Sequence, residues 1–159
     1  MDELITRSRM RAILCDWGHA LDTVAGYERD LKMLRSRLLD AYDTRGAARL
    51  DCVPSGGVHT GIVARAVERV ERLKAEYLNA EKNTLKRATE LLSLKSHIDV
   101  EISRLDDIEQ QIMRMRYQDG HEWARIAKML QCSEQQARAI DTHAVDILRG
   151  ALNEQRGTG

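Results

Sequence analysis

The chain has 159 residues, enough for one domain or two small ones, and its 25 basic and 25 acidic residues give a formal net charge of zero. Leu, Ala, Arg and Glu dominate, aromatic residues are few and proline occurs once, which is the usage of a helical protein. No apolar run approaches the roughly 18 residues of a transmembrane helix, and three scattered cysteines (Cys15, Cys52 and Cys132) exclude a disulfide framework. The start is also too polar for a signal peptide. We therefore expect an all-α protein of the cytoplasm.

Residues 1–20 form the first segment, in which Arg7, Arg9 and Arg11 alternate before an apolar patch. Two interpretations fit this pattern. It is either a basic arm that contacts phosphates, or a short helix that docks on the rest of the chain with its charged side in solvent. We expect Gly18 to end any helix here.

Residues 21–42 follow a coiled-coil repeat that predicts a helix. The apolar positions step by four, three, four and three residues along Tyr27, Leu31, Leu34, Leu38 and Ala41. Residues 62–102 carry a longer stripe of the same kind, which skips at Lys82–Thr84 and resumes at Leu85. We interpret the skip as a stutter or bend in one continuous helix.

The two long helices cannot bury their stripes alone, so we expect an antiparallel hairpin over residues 21–104. The longer helix would extend beyond its partner, because some 40 residues span about 60 Å at 1.5 Å per residue. The apolar surface left uncovered should then meet a second copy of the chain. The hairpin is therefore predicted to make the protein a homo-oligomer.

Residues 43–61 lie between these helices and hold the only proline and four of the ten glycines, so we expect an irregular linker. Cys52 and His59 in this linker, with Cys15 and His19 upstream, could supply four zinc ligands. Neither the Cys-x3-His nor the Cys-x6-His spacing is that of a standard zinc finger, and there is no glycine-rich phosphate loop. We expect neither a metal nor a cofactor.

Residues 105–152 are predicted to form three short helices, the last two joined as a helix-turn-helix. The first stops at Asp119-Gly120, a strong turn signal, and the second is expected over residues 122–130. A three-residue turn then leads to Ser133, whose hydroxyl can cap a third helix. Such a short turn sets the large angle at which the second helix of the pair enters a major groove. We expect residues 153–159 to be a disordered tail.

Helical spacing assigns the core of this segment. The apolar positions are Ile108, Ile112, Met113, Met115, Tyr117, Trp123, Ile126, Ala127, Leu130, Ala137, Ile140, Ala144, Ile147 and Leu148. Of the two adjacent methionines, one is expected in the core and the other against the hairpin helix.

This segment resembles region 4 of sigma factors and the related sigma-like regulators of phages. The matching residues are Leu105, Glu109, Ile112, Met115, Arg116, Tyr117, Asp119, Gly120, Trp123, Ile126, Ala127, Leu130, Ser133, Arg138, Ala144 and Leu148. Gln131 departs from the pattern, because the family usually has glycine at this turn. If the position needs a positive φ, glutamine strains the turn by roughly 1 kcal/mol.

The hairpin and its Val53-Pro54-x-Gly-Gly linker, together with the helix-turn-helix, resemble the ArpU-like late regulators of phages. This resemblance reaches from about Tyr27 to Leu152. It implies a phage or prophage origin and a role in transcription at a promoter. The expected partners are double-stranded DNA and RNA polymerase.

Base-reading side chains are expected on the third helix of the segment. Arg138 can form paired hydrogen bonds with O6 and N7 of guanine, and Gln135 can pair similarly with adenine. Glu134 could accept a hydrogen bond from cytosine N4. Alternatively, all three belong to the solvated face of an amphipathic helix.

Phosphate contacts are expected from the residues around these positions. Thr142 or His143 could hold a phosphate, and Arg125 and Lys128, on the exposed side of the second helix, suit backbone phosphates. Ser133 completes the predicted site as the residue that begins the third helix.

A sequence-specific transcription regulator is the first hypothesis for function. Residues 104–159 hold eight basic and nine acidic residues and the charges are mixed along the chain, so one copy should bind DNA weakly. Two alternatives remain: a DNA-packaging subunit like the small terminase subunits of phages, and a module that binds only protein. A dimer favours regulation and a larger ring favours packaging. No local motif of catalysis is present, so we do not expect an enzyme.

Overall fold

The structure is a computed structural model that describes the backbone of residues 4–50 and 58–157 and the side chains of most of them. Six α-helices and one π-helical segment account for nearly all of this part of the chain, which contains no strand. The helices are α1 (Arg7–Gly18), α2 (Ala20–Leu50), α3 (Val58–Ile102), α4 (Asp107–Met113), α5 (Trp123–Met129) and α6 (Glu134–Gly157), and the π segment (Arg114–Gln118) follows α4. The all-α prediction is confirmed.

The chain divides into two compact units. The hairpin unit is Val24–Thr89, and the head unit joins Met1–Thr23 to Glu90–Gly159. The long helices α2 and α3 therefore each contribute to both units. None of the described helices combines the length and the apolarity needed to cross a membrane.

In the hairpin unit, the predicted coiled-coil stripe of α2 is the sheltered face of that helix. Ala41 is buried, and the other four positions of the stripe are half-buried. On α3 the sheltered face passes through Val70, which is 1% exposed. It then continues through Thr84 and not through Leu85, which is 67% exposed. The stutter therefore leaves α3 continuous, but the residue assigned to the stripe at this point was wrong by one position.

The predicted linker is shorter than the composition suggests. Helix α2 runs on to Leu50 and α3 begins at Val58, so residues 43–50 and 58–61 are helical and not irregular. A helix tolerates an isolated glycine such as Gly46 or Gly61 at a cost of about 1 kcal/mol, which is why composition alone misplaced these boundaries. Residues 51–57, with Pro54, lie outside the described part of the chain.

One hydrophobic core fills the head unit, and α1 is part of it. Met10 and Leu14 are fully buried and Trp17 is 2% exposed. Of the two interpretations of residues 1–20, the structure has the short helix. The other helices supply the rest of the core, with Ile98, Ile102, Ile112, Met113, Tyr117, Ile126, Ala137, Ala144, Val145 and Leu148. Met113 is the buried one of the adjacent methionines, and Met115 is only partly buried.

Three sequence-based assignments in the head unit need correction. Ile108 and Ile147 are each 44% exposed, whereas Val145 is buried on α6. Val145 belongs to the core cluster that also contains Met10, Leu14 and Trp17 of α1. The predicted disordered tail, 153–159, is helical as far as Gly157. The Asn153 side chain accepts a hydrogen bond from the Ile5 amide at 2.8 Å, which ties the start of the chain to that helical turn.

Gly18 ends α1, as its residue type predicts, and also allows α1 to dock. A Cβ atom at this position would lie 2.5 Å from the carbonyl carbon of Tyr117 and closer still to its oxygen. Carbon atoms in contact normally lie about 3.5–4.0 Å apart. Only glycine therefore lets the end of α1 pack directly against the backbone of the π segment.

Candidate nucleic-acid interface

The turn between α5 and α6 is a Schellman motif. The amide of Cys132 donates to the carbonyl of Ala127 at 3.0 Å, and the amide of Gln131 donates to the carbonyl of Lys128 at 3.4 Å. This pair of bonds ends a helix and places its first following residue in the left-handed region. That residue is Gln131, with a φ of 54°. Glutamine thus occupies a conformation that favours glycine. The position does need a positive φ, so glutamine strains the turn.

Helix α6 begins immediately after this turn with a capping box. The hydroxyl of Ser133 accepts from the amide of Gln136 at 3.1 Å, and the Gln136 side chain accepts from the amide of Ser133 at 2.9 Å. Reciprocal bonds of this kind satisfy two amides that a helix start leaves unpaired. Ser133 therefore fixes where α6 starts, as predicted, and its hydroxyl is engaged in doing so.

The first turns of α6 present the predicted base-reading side chains to solvent. Gln135 is exposed and makes no side-chain hydrogen bond with the described residues. Glu134 and Arg138 approach each other at 3.8 Å, with side chains 51% and 57% exposed. An exposed ion pair at this distance stabilises a protein by less than about 1 kcal/mol, so both side chains can exchange it for other partners.

Trp123 was assigned to the core, but it is only half-buried and lies between two arginines. The guanidinium of Arg116 stands 5.0 Å from the ring centre and that of Arg138 stands 5.1 Å from it. A cation–π contact at such a distance contributes about 0.5–1 kcal/mol at an exposed site and favours the stacked orientation of the guanidinium. A groove of about 620 Å³ runs beside the ring and is lined by Arg11, Cys15, Arg116, Tyr117, Gly120, Trp123, Arg138, Asp141 and Thr142.

Arg125 and Lys128 are exposed on α5, as expected. Neither makes an ion pair or a side-chain hydrogen bond within the described part of the chain. Both side chains are therefore accessible to an external partner. Such side chains are suited to phosphate contacts, which position a protein on DNA without reading its sequence.

Thr142 and His143, which were expected to hold a phosphate, both have partners inside the protein. The Thr142 hydroxyl donates to the carbonyl of Arg138 at 2.9 Å and accepts from Arg11 at 3.2 Å. The His143 ring lies 2.6 Å from the carboxylate of Glu109, whose side chain is only 7% exposed. Glu109 also accepts from the amide of Asp106 at the start of α4. A phosphate would have to compete with these contacts.

Asp141 is a buried acidic residue that was not among the predicted site residues, and it is 1% exposed in the middle of α6. Its carboxylate accepts from the Tyr117 hydroxyl at 2.9 Å and from the Arg11 guanidinium at 3.1 Å. Burial, followed by the charge of Asp141, raises the pKa of Tyr117 well above its usual range. The only signal in the sequence was an acidic residue on the apolar side of a predicted helix. Nothing there shows that Arg11, 130 positions away, is its partner.

A second ion pair joins α1 to the same flank of α6. The Arg7 guanidinium donates two hydrogen bonds to Asp146, at 2.8 and 2.6 Å. These hydrogen bonds hold the pKa of the Asp146 carboxyl below its usual range. Arg7 and Arg11 thus hold α1 against α6, so two of the three alternating arginines of the N-terminal segment have internal roles.

The four residues of the zinc hypothesis do not all lie in the described part of the chain. Cys15 is exposed with a free thiol, whereas Cys52 and the side chain of His59 lie outside the described residues. Within the described residues, no three His, Cys, Asp or Glu side chains are grouped as metal ligands would be.

Comparison with protein families gives one match. Residues 62–150, more than half of the chain, match the family described as protein of unknown function (DUF722). The chain belongs to the DUF722 family. The match begins in α3 and ends in α6, so it covers most of α3, all of α4, the π segment and α5, and the larger part of α6 in this DUF722 protein. No curated protein and no solved structure matches the chain.

Proposed function

We propose that this protein binds double-stranded DNA in a sequence-specific manner through α5 and α6 and regulates transcription at a promoter. The observation that supports the proposal is the geometry of the helix pair. A turn of four residues, from Leu130 to Ser133 and with Gln131 in the left-handed region, joins α5 to α6, and the first turns of α6 expose Gln135 and Arg138. In helix-turn-helix proteins these turns are the part that reaches base edges.

Each predicted reader has the chemistry that its role needs. The Arg138 guanidinium presents paired donors that match guanine, and the Gln135 amide presents the donor and acceptor that match adenine. Arg125 and Lys128 on α5 would hold the phosphates beside them. Trp123 would keep the Arg138 side chain extended toward the major groove of the DNA, since stacking limits the orientations of a guanidinium. Glu134, Thr142 and His143 have secondary roles in this proposal. Thr142 and His143 would have to leave partners inside the protein before they could bind a phosphate.

RNA polymerase is the proposed protein partner, and it would compensate for the modest charge of the helix-turn-helix. A surface with as many acidic as basic residues gains little from releasing counterions. A partner that also touches DNA turns the second contact into an intramolecular one and raises the total affinity. The same argument favours a second copy of the chain.

A homo-oligomer formed through the hairpin unit is part of the proposal. Several large apolar side chains of this unit are exposed, namely Met33 (58%), Leu39 (54%), Ile62 (53%), Leu78 (52%) and Leu85 (67%). Leu78 and Leu85 are seven residues apart, which places them on one face of α3, where a second copy of the chain could cover both. Light scattering at two concentrations measures the mass, and Leu78→Lys combined with Leu85→Lys should lower it. A mass equal to one chain in the unsubstituted protein would refute the homo-oligomer.

Selection from a random duplex library tests the function directly. The unsubstituted protein should enrich one motif, and Gln135→Ala combined with Arg138→Ala should lose it. Each base contact contributes about 1–3 kcal/mol of discrimination, so two contacts account for a loss of about 30-fold or more in preference for the motif over random DNA.

The chain contains a matched control for this pair. Gln111 and Arg114 are the same residue types at the same spacing of three, and both are exposed on α4 and the π segment. Gln111→Ala with Arg114→Ala should leave the enriched motif unchanged. If neither variant changes the motif, α6 is not the reading helix, and if no motif is enriched at low salt, the protein is not a sequence-specific DNA binder.

A further inference from the structure

Charge in this protein is separated between the two compact units. The hairpin unit, residues 24–89, contains thirteen basic and nine acidic residues, whereas the chain as a whole is neutral. The head unit must therefore carry the balancing excess of acid. The expectation that the charges are evenly mixed along the chain does not hold at this level. The more basic unit is not the one that contains the helix-turn-helix.

Part of this positive charge is concentrated in one groove of the hairpin unit. The groove has a volume of about 600 Å³ and is lined by Arg37, Asp40, Ala41, Arg65, Ala66, Arg69, Arg72 and Leu73. Four of these eight residues are arginines and only one is acidic. Ala41 and Ala66 have small side chains that fill little of the groove, which leaves space for a ligand beside the guanidinium groups.

The arginines of α3 are arranged in a row. Arg65, Arg69 and Arg72 are separated by four and three residues, which places them on one face of a helix on successive turns. At 1.5 Å per residue the row is about 10 Å long. Arg37 belongs to α2 and lines the same groove.

None of the four guanidinium groups is neutralised by the described part of the protein. All four side chains are exposed, and they make no ion pair or side-chain hydrogen bond with the described residues. Like charges held together in this way repel one another and destabilise the fold slightly. An anion with charges spaced along its length would remove that repulsion.

We infer that the Arg37, Arg65, Arg69 and Arg72 groove is a second DNA-binding surface, which contacts the phosphate backbone without reading sequence. Guanidinium groups form paired hydrogen bonds with phosphate oxygens. Duplex DNA presents about one negative charge per 1.7 Å of its axis, so a row of 10 Å meets several phosphates. The groove would supply the sequence-independent affinity that the acid-balanced helix-turn-helix lacks. This inference rests on the proposed function, because it takes the ligand of both surfaces to be one duplex.

The test is the salt dependence of binding to a labelled duplex of random sequence. Arg65→Gln, Arg69→Gln and Arg72→Gln are combined in one variant of the full chain. Glutamine is a good helix former, so α3 should persist, and circular dichroism checks that it does. Three lost phosphate contacts lower the slope of log affinity against log salt by about 2.7. Between about 50 and 200 mM salt, the unsubstituted protein should therefore lose about 40-fold more affinity than the variant.

A control variant removes the same charge from the same helix outside the groove. Lys82→Gln, Lys86→Gln and Arg87→Gln change three exposed cations that do not line it. This variant should keep the slope of the unsubstituted protein to within about one phosphate contact. Equal slopes for the groove variant and the unsubstituted protein, or equal losses in the two variants, would overturn the inference.

Two further arms identify the ligand and separate this inference from the proposed function. Polyglutamate is added as a competitor. If polyglutamate is bound through the groove arginines and the duplex is not, the groove is a site for an acidic protein and the inference is wrong. The Gln135→Ala/Arg138→Ala variant should lose its preferred motif but keep the full salt slope on random duplex. Random-duplex binding that depends on the groove, with no motif enriched by the unsubstituted protein, would support the groove and refute the proposed function.

Discussion

Substituting Gly18 with alanine should destabilise the head unit, even though alanine is the better helix former. The added Cβ would lie 2.5 Å from the carbonyl carbon of Tyr117 and 3.1 Å from the amide nitrogen of Gln118. Both are backbone atoms, so no side-chain rotation can relieve the overlap. To restore normal contacts with this carbonyl group, α1 must move away from the π segment by more than about 1 Å, because the carbonyl oxygen lies closer to the added atom than the carbon does.

The size of the effect follows from two opposing contributions. Overpacking a well-packed core costs about 1–3 kcal/mol, and rigid backbone on both sides favours the upper end. Alanine recovers at most about 1 kcal/mol of helix propensity, and less at the last residue of a helix. The net loss is about 2 kcal/mol, which lowers the melting temperature by about 4–8 °C for a protein of this size.

Gly150→Ala is the matched control for this substitution. Gly150 lies in α6 of the same unit, and a Cβ there would meet no atom within 4 Å. The free energy of unfolding of this variant should rise by about 0.5–1 kcal/mol, because alanine has less conformational entropy than glycine to lose on folding. The two glycine-to-alanine changes should therefore shift the melting temperature in opposite directions, as followed by circular dichroism.

Fluorescence identifies where the damage occurs. Trp17 is 2% exposed and its indole nitrogen donates to Asp99 at 2.7 Å. Displacement of α1 should expose this ring and move its emission to longer wavelength before the rest of the unit melts. A Gly18→Ala protein that melts at or above the temperature of the unsubstituted protein would refute the close approach of α1 and the π segment.

Two other predictions concern the turn and the α1–α6 ion pair. Gln131→Gly should raise the free energy of unfolding by about 0.5–1 kcal/mol, because glycine adopts the φ of 54° without strain. Gln131→Ala should give no such gain, and equal stability of the glycine and alanine variants in denaturant titration would argue against a strained turn. Arg7→Gln should lower the melting temperature at neutral pH, where Asp146 is ionised. The pKa of Asp146 is depressed in the folded protein, so its stabilisation is present above the ordinary value of 3.8 and is lost as the pH falls through the folded-state value. The melting temperatures of the unsubstituted protein and the variant should therefore converge below pH 3.8. A difference in melting temperature that stays constant down to lower pH would show that Arg7 stabilises the fold through another contact.

The apolar pattern of the sequence predicts most of the helices of this protein, although not all of their ends. The 3.6-residue period of apolar residues predicts helices wherever it persists, because one face must be buried. Ser133 predicts the start of α6, since a hydroxyl there satisfies amides that the helix cannot. Gln131 could be identified as the strained position because the sigma-like pattern that the segment resembles usually has glycine there. Exposure of Gln135 and Arg138 also follows from the period alone.

The partners that lie far apart in the sequence become visible only in the folded chain. Asp141 is buried with Tyr117 and Arg11, and no local pattern links an N-terminal arginine to the middle of α6. The docking of α1 gives Thr142 an internal partner, Arg11, and adds the apolar side chains of α1 to the core in which Val145 is buried. The arginine groove also depends on two helices lying side by side, because Arg37 and Arg65 are 28 positions apart in the chain. Periodicity fixes which face of a helix is sheltered, but the identity of the covering surface depends on the packing of the whole chain.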